Sequence, residues 1–342
     1  MNLLRFAWLG LAVLLVPTFA GCDSASTDPT APPPTADIPL FPVQRDGDWG
    51  FMDATGRLAI APDYDAVIPF SEGLAAGRNY RDGRHLWTFF GVDGAEAFEV
   101  EAYGMGPFRD GRARAEVNGR WGLIDETGAW VVNPYMNDAR DFSEGLARVK
   151  TTSYQWGFMN PDGDVVIPTE YDSDLEDFAD SRALFEDEGQ WGYLGPSGNV
   201  AIDPQFDEAR SFSHGRAAVR VGTQWGYIDT SGQFVLQPQF ISAGDFAENR
   251  APVRTENAWE YVDANGQRVV EPGYDEARKF SEGRAAVFID GYWTFIRPGG
   301  GRIHPPEFDE VEDFEGGVAM VRIGERIGYI GLEGDFVWYP EN

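Results

Sequence analysis

The 342-residue chain has one cysteine, Cys22, and three histidines, His85, His214 and His304. A single thiol excludes a disulfide within one copy and a zinc site built on paired cysteines. The histidines are far apart and in no metal-ligand spacing. Cations are scarce too: 27 Lys and Arg face 56 Asp and Glu, a formal net charge of −29. Without a basic footprint, nucleic acid is not an expected partner. The acidity is spread along the chain, which reads as solubility, with attraction of cations or basic partners as the sharper alternative. No G-x-S-x-G elbow, H-E-x-x-H or phosphate-binding glycine loop occurs, and no serine has a base signalled for it. The expectation is a non-enzymatic protein with no cofactor and no metal. The acidic run from Glu170 to Asp177 lacks the central Gly and terminal Glu spacing of an EF-hand loop, so it reads as a solvated loop.

Long hydrophobic runs are missing as well. Phe6 to Pro17 is too short for a bilayer span and suits a signal peptide. Phe19-Ala20-Gly21-Cys22 follows and resembles the lipobox of bacterial lipoproteins. That resemblance implies cleavage after residue 21 and lipidation of Cys22. Asp23 to Asp37, DSASTDPTAPPPTAD, contains no large apolar residue and reads as a solvated tether. The expected organisation is a signal peptide over 1–21, a lipidated Cys and tether over 22–38, and a folded domain over 39–342. Asp23 after the Cys resembles an inner-membrane retention signal of enteric bacteria, which other phyla read differently, so either membrane stays open.

What the chain has in abundance is repetition. Trp recurs at Trp49, Trp87, Trp121, Trp156, Trp191, Trp225, Trp259 and Trp293, then gives way to Ile327. The steps are 38, 34, 35, 35, 34, 34, 34 and 34 residues. Gly follows the marker at Gly50, Gly122, Gly157, Gly192, Gly226 and Gly328, while Thr88, Glu260 and Thr294 replace it elsewhere. These units resemble the WG-repeat family of bacterial proteins, several of which are lipoproteins; the family implies no shared catalytic motif.

Each unit also reads physically. Asp or Asn three before Gly, as in Asp229…Gly232, suits a type I turn closed by a left-handed Gly, and the flanks read as a hairpin. A second marker, Phe280-Ser281-Glu282-Gly283 and its relatives, predicts a tight turn with positive φ at its fourth place. A third strand then leads into the next Trp. The expected fold is all-β: about nine tandem three-stranded antiparallel meanders, each with a linking loop of about a dozen residues. The marker Trp is expected in the interior of the stack. With no split unit to clasp a ring, an open or superhelical array is expected over a closed propeller-like toroid.

One position goes beyond packing. Arg112, Arg182, Arg216, Arg250 and Arg284 share the place after the second turn, with Asp110, Asp180, Glu248 and Glu282 two residues earlier. A row of structural ion pairs is expected, with an anion-binding strip as the functional alternative. The expected function is a lipid-anchored scaffold in the cell envelope, facing periplasm or exterior, that binds a protein or peptide. The alternative is an envelope hydrolase or a carbohydrate-binding protein using exposed aromatics.

Overall fold

The computed structural model describes residues 40–339, apart from 153, 172–174 and 257. Among them there are strands and turns and no α-helix. Nine small antiparallel sheets follow one another along the chain. They form the blades of a nine-bladed propeller, numbered one to nine over 40–64, 66–101, 104–136, 138–171, 175–206, 208–240, 242–274, 276–296 and 310–338.

Blade six is a typical unit. Its strands are Glu208–Ala209, Arg216–Val221, Gln224–Asp229 and Phe234–Phe240, hydrogen-bonded in chain order. His214 and Gly215, with φ of 53° and 75°, turn the chain between the first two. This is the positive-φ turn that the second marker predicts, and φ is positive at its third residue as well. Between the last two strands, the amide of Gly232 donates to the Asp229 carbonyl at 2.9 Å. The Asp229 carboxylate accepts from the Ser231 hydroxyl and the Ser231 and Gln233 amides. An acceptor side chain that bonds its own backbone is why Asp opens this turn.

The unit is thus four-stranded, where the sequence predicts three strands and a loop. Seven sheets have four strands. The extra strand lies within the predicted loop and is as short as two residues, too short to show an alternation. Blade one has no such first strand among the described residues. Blade eight has no fourth; isolated bridges Trp293–Phe308 and Ile296–Arg302 stand in for it.

The expected open array is also corrected: the ring closes. Each interface between consecutive blades holds its own apolar cluster, as where Tyr227 and Leu236 of blade six meet Phe246 and Val253 of blade seven. A ninth cluster joins the chain's two ends, with Phe41, Val43 and Met52 of blade one against Val318, Tyr329 and Trp338 of blade nine. Blades meet by side-chain packing, so closure needs no strand exchanged between the ends. The expectation of a split unit was the wrong criterion.

The Trp-Gly pair has a steric origin. The fourth strand bulges opposite it, with a register shift between Trp225 and Tyr227. The bulge presses backbone onto the Gly: a Cβ at Gly226 would lie 2.6 Å from the Leu236 carbonyl oxygen. The corresponding distance is 2.5 Å at Gly50, Gly122 and Gly157. In blade two, Trp87, Thr88 and Phe89 pair in unbroken register, and Thr88 is accommodated there.

Candidate functional site

The eight Trp markers divide. Trp87, Trp156 and Trp225 are buried, whereas Trp49, Trp121, Trp191, Trp259 and Trp293 are half-buried. Trp therefore lies toward the rim of each interface, where Arg guanidiniums cover it, as Arg114 covers Trp121 at 4.7 Å and Arg278 covers Trp293 at 4.6 Å. The interior place belongs to the residue two further on. Phe51, Phe158, Tyr193, Tyr227 and Tyr261 are all fully buried. Each meets the second-marker Phe of the next blade edge to face, as Tyr227 meets Phe246 at 4.6 Å between centroids. The buried tyrosines find acceptors across the interface: Tyr193 donates to the Arg210 carbonyl, Tyr227 to Gly244 and Tyr261 to Arg278, at 2.7–2.8 Å. Burial pushes all three hydroxyls far above their ordinary range, so they stay donors.

The second-marker turn builds a relay around the ring. Its Ser donates to the Phe carbonyl of the next blade, as Ser71 to Phe108, Ser143 to Phe178 and Ser281 to Phe314. Its acid accepts from the next turn's amides. Glu72 takes Asp110 and Gly111, Asp110 takes Gly145, Asp180 takes Gly215, Glu248 takes Gly283, and Glu282 takes Gly316 and Gly317.

This corrects the expected pairing of the arginine row. The acids two residues before the arginines cap the next blade rather than hold the guanidiniums. Arg112, Arg182 and Arg284 instead donate to carbonyls of the next blade's hairpin turn, at Pro161, Thr230 and Leu332. Arg284 alone of the five also reaches a carboxylate in that turn, Glu333, at 3.4 Å. Arg216 and Arg250 lie over Phe246 and Phe280, at 4.9 and 5.4 Å. All five are half-buried at blade interfaces.

The longest step of the repeat, from Trp49 to Trp87, falls at blade two. Its second and third strands, Leu74–Arg81 and Arg84–Gly91, run eight residues each, against six in blade six. The four additional residues account for the 38-residue first step. They push a hairpin tip beyond its neighbours, closed by Asp82 and Gly83 at positive φ. Tyr80 on this tip is 59% exposed and Tyr103, at the start of blade three, is 67% exposed. His85 lies between them, its ring centroid 4.8 Å from Tyr80 and 5.0 Å from Tyr103. Its Nδ1 is buried and has no hydrogen-bond partner. A hollow of about 240 Å³ opens beside the cluster, bordered by Glu101 and Asn118. The sequence signal for this site was the one long step, visible in the spacing but not read as a site.

A larger cavity, of about 350 Å³, lies where blade nine meets blade one, against Phe41, Phe70, Met320 and Tyr329. His214 and His304 stand in blade six and after blade eight, apart from His85. Among the described residues, no group of three or more His, Cys, Asp or Glu side chains is placed to hold a metal ion. Cys22, the tether and Asp172 to Asp174 of the acidic run lie outside the described residues.

The architecture is similar to that of a solved structure described as a eukaryotic initiation factor, at a TM-score of 0.63 and 13% identity over 90% of this chain and 96% of that one. BamB from Moraxella catarrhalis is similar at a TM-score of 0.45 and 14% identity, over 79% of this chain and 94% of that one. No curated protein matches in sequence. The model of the family described as WG containing repeat matches 49–76, 121–152, 156–191, 191–222, 225–259, 261–293 and 302–326. Matched over more than half its length, the chain belongs to the WG containing repeat family.

Proposed function

We propose that the protein is a lipid-anchored, non-enzymatic scaffold of the cell envelope, held by Cys22 on its 22–38 tether and presenting the ring to a protein or peptide partner. The observation that carries this reading is the hairpin tip of blade two. A rigid repeat that lengthens one hairpin and exposes two tyrosines there has spent residues on something other than packing. Tyr is enriched at protein interfaces because it joins a large apolar face to a hydroxyl. The rings of Tyr80 and Tyr103 stand at 49° and 82° to that of His85, which offers no shared flat face for a sugar ring. That favours a protein over a carbohydrate. The chain's net charge of −29 favours a partner with a basic surface.

The test is capture from an envelope extract by residues 38–342, beside the Tyr80→Ser/Tyr103→Ser double variant. Wild type should retain a partner that the double variant loses. Equal capture by both would remove the tip from the binding surface.

A further inference from the structure

The relay of second-marker turns has one gap. The eight turns from blade two to blade nine make seven steps, and six of these carry a carboxylate. In each of the six the third residue of one turn is Asp or Glu, and it accepts the fourth-place amide of the next turn at 2.7–2.9 Å. Glu72 and Glu282 take the third-place amide as well, one carboxylate oxygen to each N–H. Successive amides that converge on one anion form a nest. In blade six the third residue is His214, and the step to blade seven has no carboxylate.

The packing of that step is unchanged. Ser213 donates to the Phe246 carbonyl at 2.8 Å, and Tyr227 meets the Phe246 ring at 4.6 Å. The receiving turn is closed by Ala247 and Arg250, which exchange both backbone hydrogen bonds. Glu248 and Asn249 in it have φ of 50° and 60°. Asp180 and Ser181 have 49° and 59° in the turn where Glu144 holds the Ser181 amide. The nest is therefore formed as in its sisters. Among the described residues, neither the Glu248 nor the Asn249 amide has an acceptor. His214 does not supply one; its Nδ1 lies 3.3 Å from the Ser213 hydroxyl.

An exposed turn amide ordinarily bonds water. What sets this pair apart is that the same turn is filled by a carboxylate at the six other steps. The neighbouring acids do not forbid an anion there. Asp180 caps Gly215 on one side and Glu248 caps Gly283 on the other. Glu144 is held between Asp110 and Asp180 in the same arrangement. Arg216, two residues after His214, and Arg250, one after Asn249, keep buried Nε atoms without acceptors, so positive charge stands on both sides of the gap. His214 and Asn249 are both exposed, which leaves the nest open to solvent.

We infer that the gap between His214 and Asn249 is a carboxylate-binding site, in which an external carboxylate takes the place of the missing acid and accepts the Glu248 and Asn249 amides. Hydrogen bonds to a charged acceptor are the strong ones, and donors already fixed by the turn lose little freedom in making them. The ligand chemistry is a carboxylate, carried by a small acid or by an acidic side chain of a peptide. The site uses neither Tyr80 nor Tyr103 and stands independently of the hairpin tip.

The test is amide NMR on residues 38–342 carrying nitrogen-labelled asparagine, titrated with sodium acetate against sodium chloride at constant pH and ionic strength. The Asn249 amide should shift saturably with acetate and not with chloride. Asn118, on an exposed turn of blade three with φ of 53°, is the control and should stay still. His214→Glu completes the acid relay from blade two to blade nine. It should abolish the acetate response and melt no lower than the unaltered chain. His214→Ala leaves both amides open and should keep the response. Acetyl-Ser-Glu-Gly-amide, whose one carboxylate is its side chain, should also bind, and its Gln counterpart at least about tenfold more weakly. Tighter binding of that peptide than of acetate assigns the ligand to a protein segment, and equal or weaker binding assigns it to a small acid. An Asn249 amide that does not move, or that moves equally with chloride or together with Asn118, would overturn the inference. So would a response that survives His214→Glu or is lost with His214→Ala.

Discussion

Tyr329 in the last blade donates its hydroxyl proton to the carbonyl of Pro42 in the first, 287 residues away. Ring closure makes these two residues neighbours. In an open array Tyr329 would sit near a free end and contribute little. In the closed ring Tyr329→Ala should cost about 3–5 kcal/mol, much as Tyr227→Ala does in the middle of the chain. Denaturant melts of the two variants check this. A loss at Tyr329 far below that at Tyr227 would argue for an open ring.

The Gly of the Trp-Gly pair should tolerate no side chain. Gly226→Ala drives a Cβ to 2.6 Å from the Leu236 carbonyl and 2.7 Å from the Pro238 nitrogen, both backbone atoms that cannot step aside. The expected loss is about 1–3 kcal/mol or more. Gly273→Ala, with nothing within 4 Å and no positive φ, should be close to neutral. Thermal melts that rank the two alike would contradict the steric origin of the motif.

The arginine row should behave as structure. Arg182→Gln removes charge-assisted donation to the Thr230 carbonyl and should cost about 1.5–3 kcal/mol. Arg250→Gln removes a guanidinium from over Phe280 and should cost about 0.5–1 kcal/mol. Partner capture at low and high salt should be the same for wild type and for a triple Gln variant at Arg216, Arg250 and Arg284. Selective loss of capture with an unchanged melting point would instead establish the anion strip.

The hairpin-turn aspartates should shape the acid side of the stability curve. Donation from Thr127 and Ala129 holds Asp125 below its ordinary range, and Ser231 and Gln233 do the same for Asp229. The Gln267 and Asn265 amides lower Asp263. A carboxyl lowered by folding stabilises the native state above its unfolded value of 3.8 and loses that contribution as pH falls through the folded value. Asn160 already fills the same place in blade four, accepting the Asp162 and Asp164 amides. Asn at 125, 229 and 263 should therefore keep the fold at neutral pH and flatten the loss of melting temperature below about pH 4. An unchanged acid slope would remove these turns as its source.

The proposed attachment to lipid would rest on Cys22, the chain's one cysteine. Cys22→Ser should abolish incorporation of a fatty-acid probe in metabolic labelling and release the protein from the membrane fraction. Equal labelling of the variant would exclude the anchor.

Much of the fold could be read from spacing. The repeat, its hairpins and the positive-φ turn after the second marker each depend on a few consecutive residues, so local chemistry announces them. The missed features depend on neighbours. A strand of two residues such as Glu208–Ala209 has no pattern of its own and exists because Val219 and Arg220 lie beside it. Closure depends on the angle between blades, which no residue type encodes. Trp stood out by rarity, yet Tyr227 beside it is the more deeply buried. The acids before the arginines looked like their partners because they were close in sequence, but the turn points them forward. The hairpin tip of blade two was present as a single long step.

The forward relay has a consequence in time. Glu72, Asp110, Asp180, Glu248 and Glu282 each reach toward the blade that follows, never the one before. A turn that forms against a blade already folded would find its acceptor in place, so the relay favours assembly of these blades in chain order. Among the described residues, no relay of this kind crosses from blade nine to blade one. The ring therefore has a direction and a last step, and the last step closes on apolar side chains and one tyrosine hydroxyl.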